Sequence, residues 1–87
     1  MTAPVPRLAP GVRLAFDGKR GQWLLQAPER VVVLDEIAHA VVSRIDGKLS
    51  LDAVIDALAA DYDADRREIE GDVKDLVADL AARGVLR

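Results

Sequence analysis

Residues 20–36, RGQWLLQAPERVVVLDE, decide how the rest of the chain is read. Within them Val31-Val32-Val33-Leu34 is an unbroken apolar run, with Pro28 before it and Asp35 after it. A short β-branched run bounded in this way reads as a strand. It lacks the polar alternation of a half-solvated strand, which leaves two readings. Either it is a central strand covered on both faces, or its free edge or exposed face is kept for a partner.

Upstream, Val12, Leu14 and Phe16 alternate with Arg13, Ala15 and Asp17, the period of a half-buried strand. Asp17-Gly18-Lys19-Arg20-Gly21 is rich in turn formers and should close a hairpin. Trp23 and Leu25 then alternate with Gln22, Leu24 and Gln26 in a second strand. Pro28 breaks that strand, because proline has no N–H to give to a ladder. Residues 1–10 hold Pro4, Pro6 and Pro10 and read as a flexible or extended arm before a single domain over 11–87.

Downstream the period becomes helical. Asp35 is a candidate N-cap, and Ile37, Ala38, Val41, Val42 and Ile45 form one apolar stripe that Gly47 is expected to cap. Ser50 should start a second helix with Leu51, Val54, Ile55 and Leu58 inward. Asp65 with Glu68 resembles a capping box for a third helix, with Ile69, Val73, Leu76, Val77 and Leu80 on one face. Gly84 should end it, with Val85 folding back on Leu80. Gly71, inside this helix, is expected to mark the close approach of another backbone. The order β-β-β-α-α-α gives an α+β domain, a three-stranded antiparallel sheet followed by three helices in a winged-helix-like arrangement.

Composition removes whole classes of function. The chain of 87 residues has room for one modest core, and its 51% hydrophobic content sets it apart from a disordered tail. It has no cysteine, which excludes disulfides, thiolate metal sites and a cysteine nucleophile. It shows no apolar stretch of membrane-spanning length and no signal-peptide core, so it reads as a cytoplasmic protein without a membrane partner. His39, the only histidine, lies beside the helical stripe, with Ser43 one turn on and no Gly-rich elbow around it. Neither a catalytic site, a metal site nor a cofactor is expected. DYDADRREIEGD places Asp61, Asp63, Asp65 and Asp72 near the ligand positions of a calcium loop. Arg66 stands where that loop needs glycine, so a solvated turn whose carboxylates cap helix 3 is favoured.

Charge bears on the alternative of a winged-helix DNA-binding regulator. Residues 49–87 hold ten acids against five bases. Helix 3 mixes Arg66, Arg67, Lys74 and Arg83 with Glu68, Glu70, Asp72, Asp75 and Asp79, and helix 2 exposes Asp52, Asp56 and Asp61. Such surfaces repel a duplex, so no nucleic-acid partner is expected, and only Lys19 and Arg20 offer a basic wing. A peptide added to an open sheet edge suits the chain better. Strand 3 would be that edge, facing helix 3 across a groove floored by Val73, Leu76, Val77 and Leu80, although any small core also requires such residues. The hairpin and arm leave a swapped homodimer open.

RGQWLLQAPERVVVLDEIA, the later Asp46-Gly47, the Ser50-Leu51-Asp52 helix start and the terminal DLVADLAARGVL together resemble the pyrroloquinoline quinone biosynthesis protein D (PqqD) family, over roughly residues 8–87. The resemblance implies a non-catalytic peptide chaperone, related to the RiPP recognition elements that bind leader peptides. Such a chaperone binds the ribosomally made precursor peptide PqqA. It presents PqqA to the radical S-adenosylmethionine enzyme PqqE, which crosslinks a Glu and a Tyr of the peptide. Carried onto this chain, the resemblance puts Arg30, Val31, Val32, Val33 and Leu34 on the peptide-pairing strand and Val73, Leu76, Val77 and Leu80 along the groove. Glu29 and Arg30 would meet charges on the peptide.

Overall fold

A computed structural model describes residues 5–87. The order is β1 (Arg13–Asp17), β2 (Gln22–Ala27), β3 (Arg30–Leu34), α1 (Glu36–Val42), α2 (Leu51–Tyr62) and α3 (Arg66–Ala82). The strands form one antiparallel sheet in the order β1-β2-β3, so β3 is an edge. This is the α+β, winged-helix-like arrangement expected. Asp17 closes the first hairpin. Its Oδ1 accepts from the Lys19 N–H at 3.0 Å, and its carbonyl accepts from Gly21 at 2.8 Å.

The second hairpin has only Pro28 and Glu29 between the partners Ala27 and Arg30. A two-residue turn makes those partners exchange both backbone hydrogen bonds, and such pairs alternate along an antiparallel ladder. Leu25–Val32 and Trp23–Leu34 are therefore the other doubly bonded pairs. Val31 and Val33 turn their N–H and C=O groups away from β2, toward the open edge.

The helix starts follow the sequence closely. Asp35 Oδ1 accepts from the Ala38 N–H at 2.7 Å, and Ser50 Oγ from Ala53 at 3.1 Å. Asp65 caps α3 through the Arg67 N–H at 2.9 Å, one position earlier than a capping box requires. At the far end Val85 N–H bonds to the Leu80 carbonyl and Gly84 N–H to Ala81, with Gly84 at φ +80°. That pair of bonds is a Schellman cap.

Two glycine expectations fail. α1 ends at Val42, with tighter turns carrying the chain through Arg44 and Ile45, so Gly47 does not cap it. Gly47, at φ +77°, instead serves a turn in which Asp46 Oδ1 accepts from Lys48 and Leu49. Gly71 has open space where a Cβ would stand, so no backbone approaches it.

The core lies between the inner sheet face and the helices. Leu25, Val32 and Leu34 of the sheet meet Ala38, Val41 and Val42 of α1, Val54, Ile55 and Leu58 of α2, and Val73 and Leu80 of α3. Pro6 is buried, and Leu8 bridges to Leu86, with Arg7 and Arg87 exchanging backbone bonds of 3.0 and 2.8 Å. The expected arm is therefore extended over residues 7–9 and tied to the C-terminus, while residues 1–4 lie outside the described residues.

Candidate functional site

The apolar run of β3 divides by parity. Val32 and Leu34 point into the core, whereas Val31 and Val33 stand on the outer sheet face, each 57% exposed. The reading of a central strand covered on both faces fails, because β3 lies at the edge of the sheet and its outer residues are exposed. The run is an edge strand, apolar inward because it packs on the helices and apolar outward on an exposed face. Leu24 lies between Ala15 and Val33 on that outer face and is nearly covered by its neighbours. The two exposed valines are also the residues whose backbone groups face the free edge. Such an edge is a template for another strand.

Beside α1 lies an apolar cleft lined by Ile37, Ala40 and Val41 of α1, Leu58 and Tyr62 of α2, and Ile69, Asp72 and Val73 of α3. Ile37 was expected in the inward stripe. It overhangs the cleft instead, 64% exposed, because it sits in the first turn of a short helix that directly follows β3. Tyr62, the last residue of α2, closes the cleft on that side and is likewise exposed.

The residues named for the site fall into three groups. Val32, Leu34, Val73 and Leu80 are core residues that shape the region from beneath. Val31 and Val33 are exposed on the edge strand, and Leu76 and Val77 are half-buried on α3 against the core. Arg30 is exposed, and its Nη1 donates to the Arg83 carbonyl, tying the start of β3 to the end of α3.

Charge differs between the two flanks of α3. On the α2 side Arg66 is held by Asp56 at 2.6 Å, by Glu70 at 3.2 Å and by Asp52 at 3.7 Å. The hydrogen bond that Arg66 donates to Asp56 raises the arginine's pKa above its ordinary value. Glu70 is also held by Lys74 at 2.7 Å, and that bond is the main cause of its lowered pKa. On the cleft side run Glu68, Asp72, Asp75 and Asp79, one ridge by helical spacing. Asp79 meets Arg83 at 3.3 Å, while Glu68, Asp72 and Asp75 form no ion pair among the described residues.

His39 is packed flat on Trp23, with no nucleophile bonded to it. Among the described residues no group of three or more metal-binding side chains forms, and no helix is long and apolar enough to cross a membrane.

Among the described residues β3 has an unpaired antiparallel edge, and α1, which directly follows it, lends Ile37 to the apolar cleft; such an edge can take an extended peptide as an added strand. Comparison with known proteins identifies the family. The family model described as Coenzyme PQQ synthesis protein D (PqqD) matches residues 22–86. The chain is 52% identical over 82 residues to the "PqqA binding protein" of Xanthomonas oryzae pv. oryzae strain PXO99A, covering 94% of this chain and 89% of that one. The solution structure of the PqqD truncation of Methylobacterium extorquens PqqCD, described as a functional, stand-alone RiPP recognition element, superposes with a TM-score of 0.82. It is 43% identical, over 95% of this chain and 88% of that one. The crystal structure of PqqD from Xanthomonas campestris gives 0.65 at 49% identity, over 99% and 93%. TbiB1, solved in complex with the TbiA(beta) leader peptide, shares the fold with a TM-score of 0.79 at 22% identity, over 93% and 94%. The chain belongs to the PqqD family.

Proposed function

We propose that this chain is a non-catalytic chaperone of pyrroloquinoline quinone biosynthesis. It binds the precursor peptide PqqA and presents it to the radical S-adenosylmethionine enzyme PqqE for Glu–Tyr crosslinking. The observation that carries the reading is the free edge of β3, where Val31 and Val33 offer backbone groups unpaired among the described residues. PqqA would add as a fourth strand there, with backbone bonds giving affinity and its side chains reaching the cleft and α3. Val31, Val33, Leu76 and Val77 would touch it, together with Ile37 and Tyr62. Val32, Leu34, Val73 and Leu80 would support the groove from the core. Arg30 stands at one end of the edge for a peptide carboxylate.

The relatives support the peptide, since one bears the name PqqA binding protein at 52% identity. Presentation to PqqE, and action in the cytoplasm, rest on membership of the family. The acidic ridge of α3 weighs against the DNA-binding alternative, because a recognition helix needs bases where this one has Glu68, Asp72 and Asp75.

Calorimetric titration with synthetic PqqA, alone and with PqqE, tests the reading. Saturable binding to this chain, and crosslinking by PqqE that depends on this chain, are expected. Crosslinking at the same rate in its absence would refute the chaperone role.

A further inference from the structure

We infer that the peptide segment held at this groove is cationic beside its apolar anchor, and that the α3 ridge selects it. The inference rests on the peptide-binding reading above and adds what the peptide must carry. Three observations converge. The cleft between α1, α2 and α3 is apolar and accepts a hydrophobic side chain. Its α3 wall turns acidic at Asp72, and helical spacing sets Glu68 and Asp75 on the same ridge. These three carboxylates have no cationic partner within ion-pair distance among the described residues, whereas the acids facing α2 are neutralised by Arg66 and Lys74.

Unneutralised like charges on one helix face repel each other, which a ligand of opposite sign relieves. Geometry limits where that ligand charge must lie. The ridge from Glu68 to Asp75 rises about 10 Å along the helix, roughly three residues of extended chain. Side chains two apart in a strand share a face. A lysine or arginine two residues from the anchored side chain therefore reaches the ridge, with its methylene stem lying over Ile69 and Leu76. An acidic residue at that position would meet Asp72 and Asp75 and be rejected. Arg30, at the other end of the edge strand, gives the groove a polarity that would also fix the direction of the added strand.

The test is a double-mutant cycle by calorimetry in low salt. It pairs PqqA, or PqqA with every Lys and Arg replaced by Gln, with the wild-type chain or with the triple variant Glu68→Gln, Asp72→Asn, Asp75→Asn. An amide NMR spectrum establishes that the variant is folded. The Gln peptide should bind the wild-type chain roughly three- to tenfold more weakly, and the variant should show almost no such difference. The difference should also shrink at about 1 M salt, where screening acts within ~3 Å. Equal binding of both peptides to the wild-type chain would overturn the inference while leaving the peptide reading intact. No binding of either peptide to either protein would overturn both.

Discussion

The imidazole of His39 lies flat on the indole of Trp23, with ring centroids 4.3 Å apart and planes at 10°. Phe16 completes the cluster from β1, 5.0 Å from Trp23 and tilted by 57°. The stack ties α1 to β2. His39→Ala should lower stability by about 1 kcal/mol, the scale of an aromatic pair together with its buried area. The single tryptophan reports directly on the loss. Urea unfolding followed by its emission should show a lower midpoint with an unchanged slope, and an unchanged midpoint would mean that the stack holds nothing.

Two glycines, one inside α3 and one just past its end, should respond oppositely to alanine. Gly71 is exposed in the interior of α3 with open space around it, so Gly71→Ala should stabilise by about 0.5–1 kcal/mol. Gly84 holds the left-handed position of the Schellman cap, where a Cβ is strained, so Gly84→Ala should destabilise by about 1 kcal/mol or more. Thermal unfolding of the two variants against wild type checks both signs.

The free edge can be separated from the ladder by proline. Val32 uses its N–H on β2, so Val32→Pro removes a ladder bond and should destabilise by about 3 kcal/mol or more. The Val33 N–H faces the open edge, where proline is tolerated. Val33→Pro should therefore leave most of the stability intact while weakening PqqA binding at least tenfold, on the scale of one hydrogen bond and its register. Parallel unfolding and calorimetry on both variants measure the split. Full PqqA affinity in Val33→Pro would take that donor out of the interface.

Two carboxylates should make the fold sensitive to acid. Asp46 is held below its ordinary value of 3.8 by the backbone N–H groups of Leu49 and Lys48. Glu70 is held below its ordinary 4.5 by the Lys74 hydrogen bond and charge, with Arg66 adding to them. Both pKa values are depressed on folding, so their stabilisation is present above the unfolded values and is lost as pH falls through the folded ones. Stability should decline below about pH 4.5, and Asp46→Asn with Glu70→Gln should flatten that decline. Both groups are exposed, so the effect is small and screened by salt. Urea midpoints measured from pH 3 to 7 give the comparison.

Much of the architecture was legible because local chemistry set it. Asp35, Ser50, Asp65 and Gly84 each mark a helix boundary through a bond that the structure contains. The face of β3 was not legible, because four apolar residues in a row erase the period that would tell inside from outside. The information lay instead in the length of the turn at Pro28 and Glu29, which fixes the pairing and hence the edge. Ile37 was misplaced because its spacing matches Val41, and spacing cannot show that the helix begins against a cleft. Tyr62 carried one usable signal, a lone aromatic at the end of an alanine-rich helix. The acids of α3 were visible as an argument against DNA. That Asp72 stands on the wall of the cleft needed the orientation of α3, which Val73 and Leu80 set by packing into the core.

The central claim is that the open edge of β3 receives the peptide. An amide NMR titration of this chain with PqqA tests it most directly. The largest shifts should fall at Val31 and Val33, which should also gain protection from hydrogen exchange, with smaller shifts at Ile37, Ile69, Asp72 and Leu76. Shifts confined to β1, to the turn of residues 17–21 or to the α2 face, with the Val31 and Val33 amides unmoved and unprotected, would contradict it.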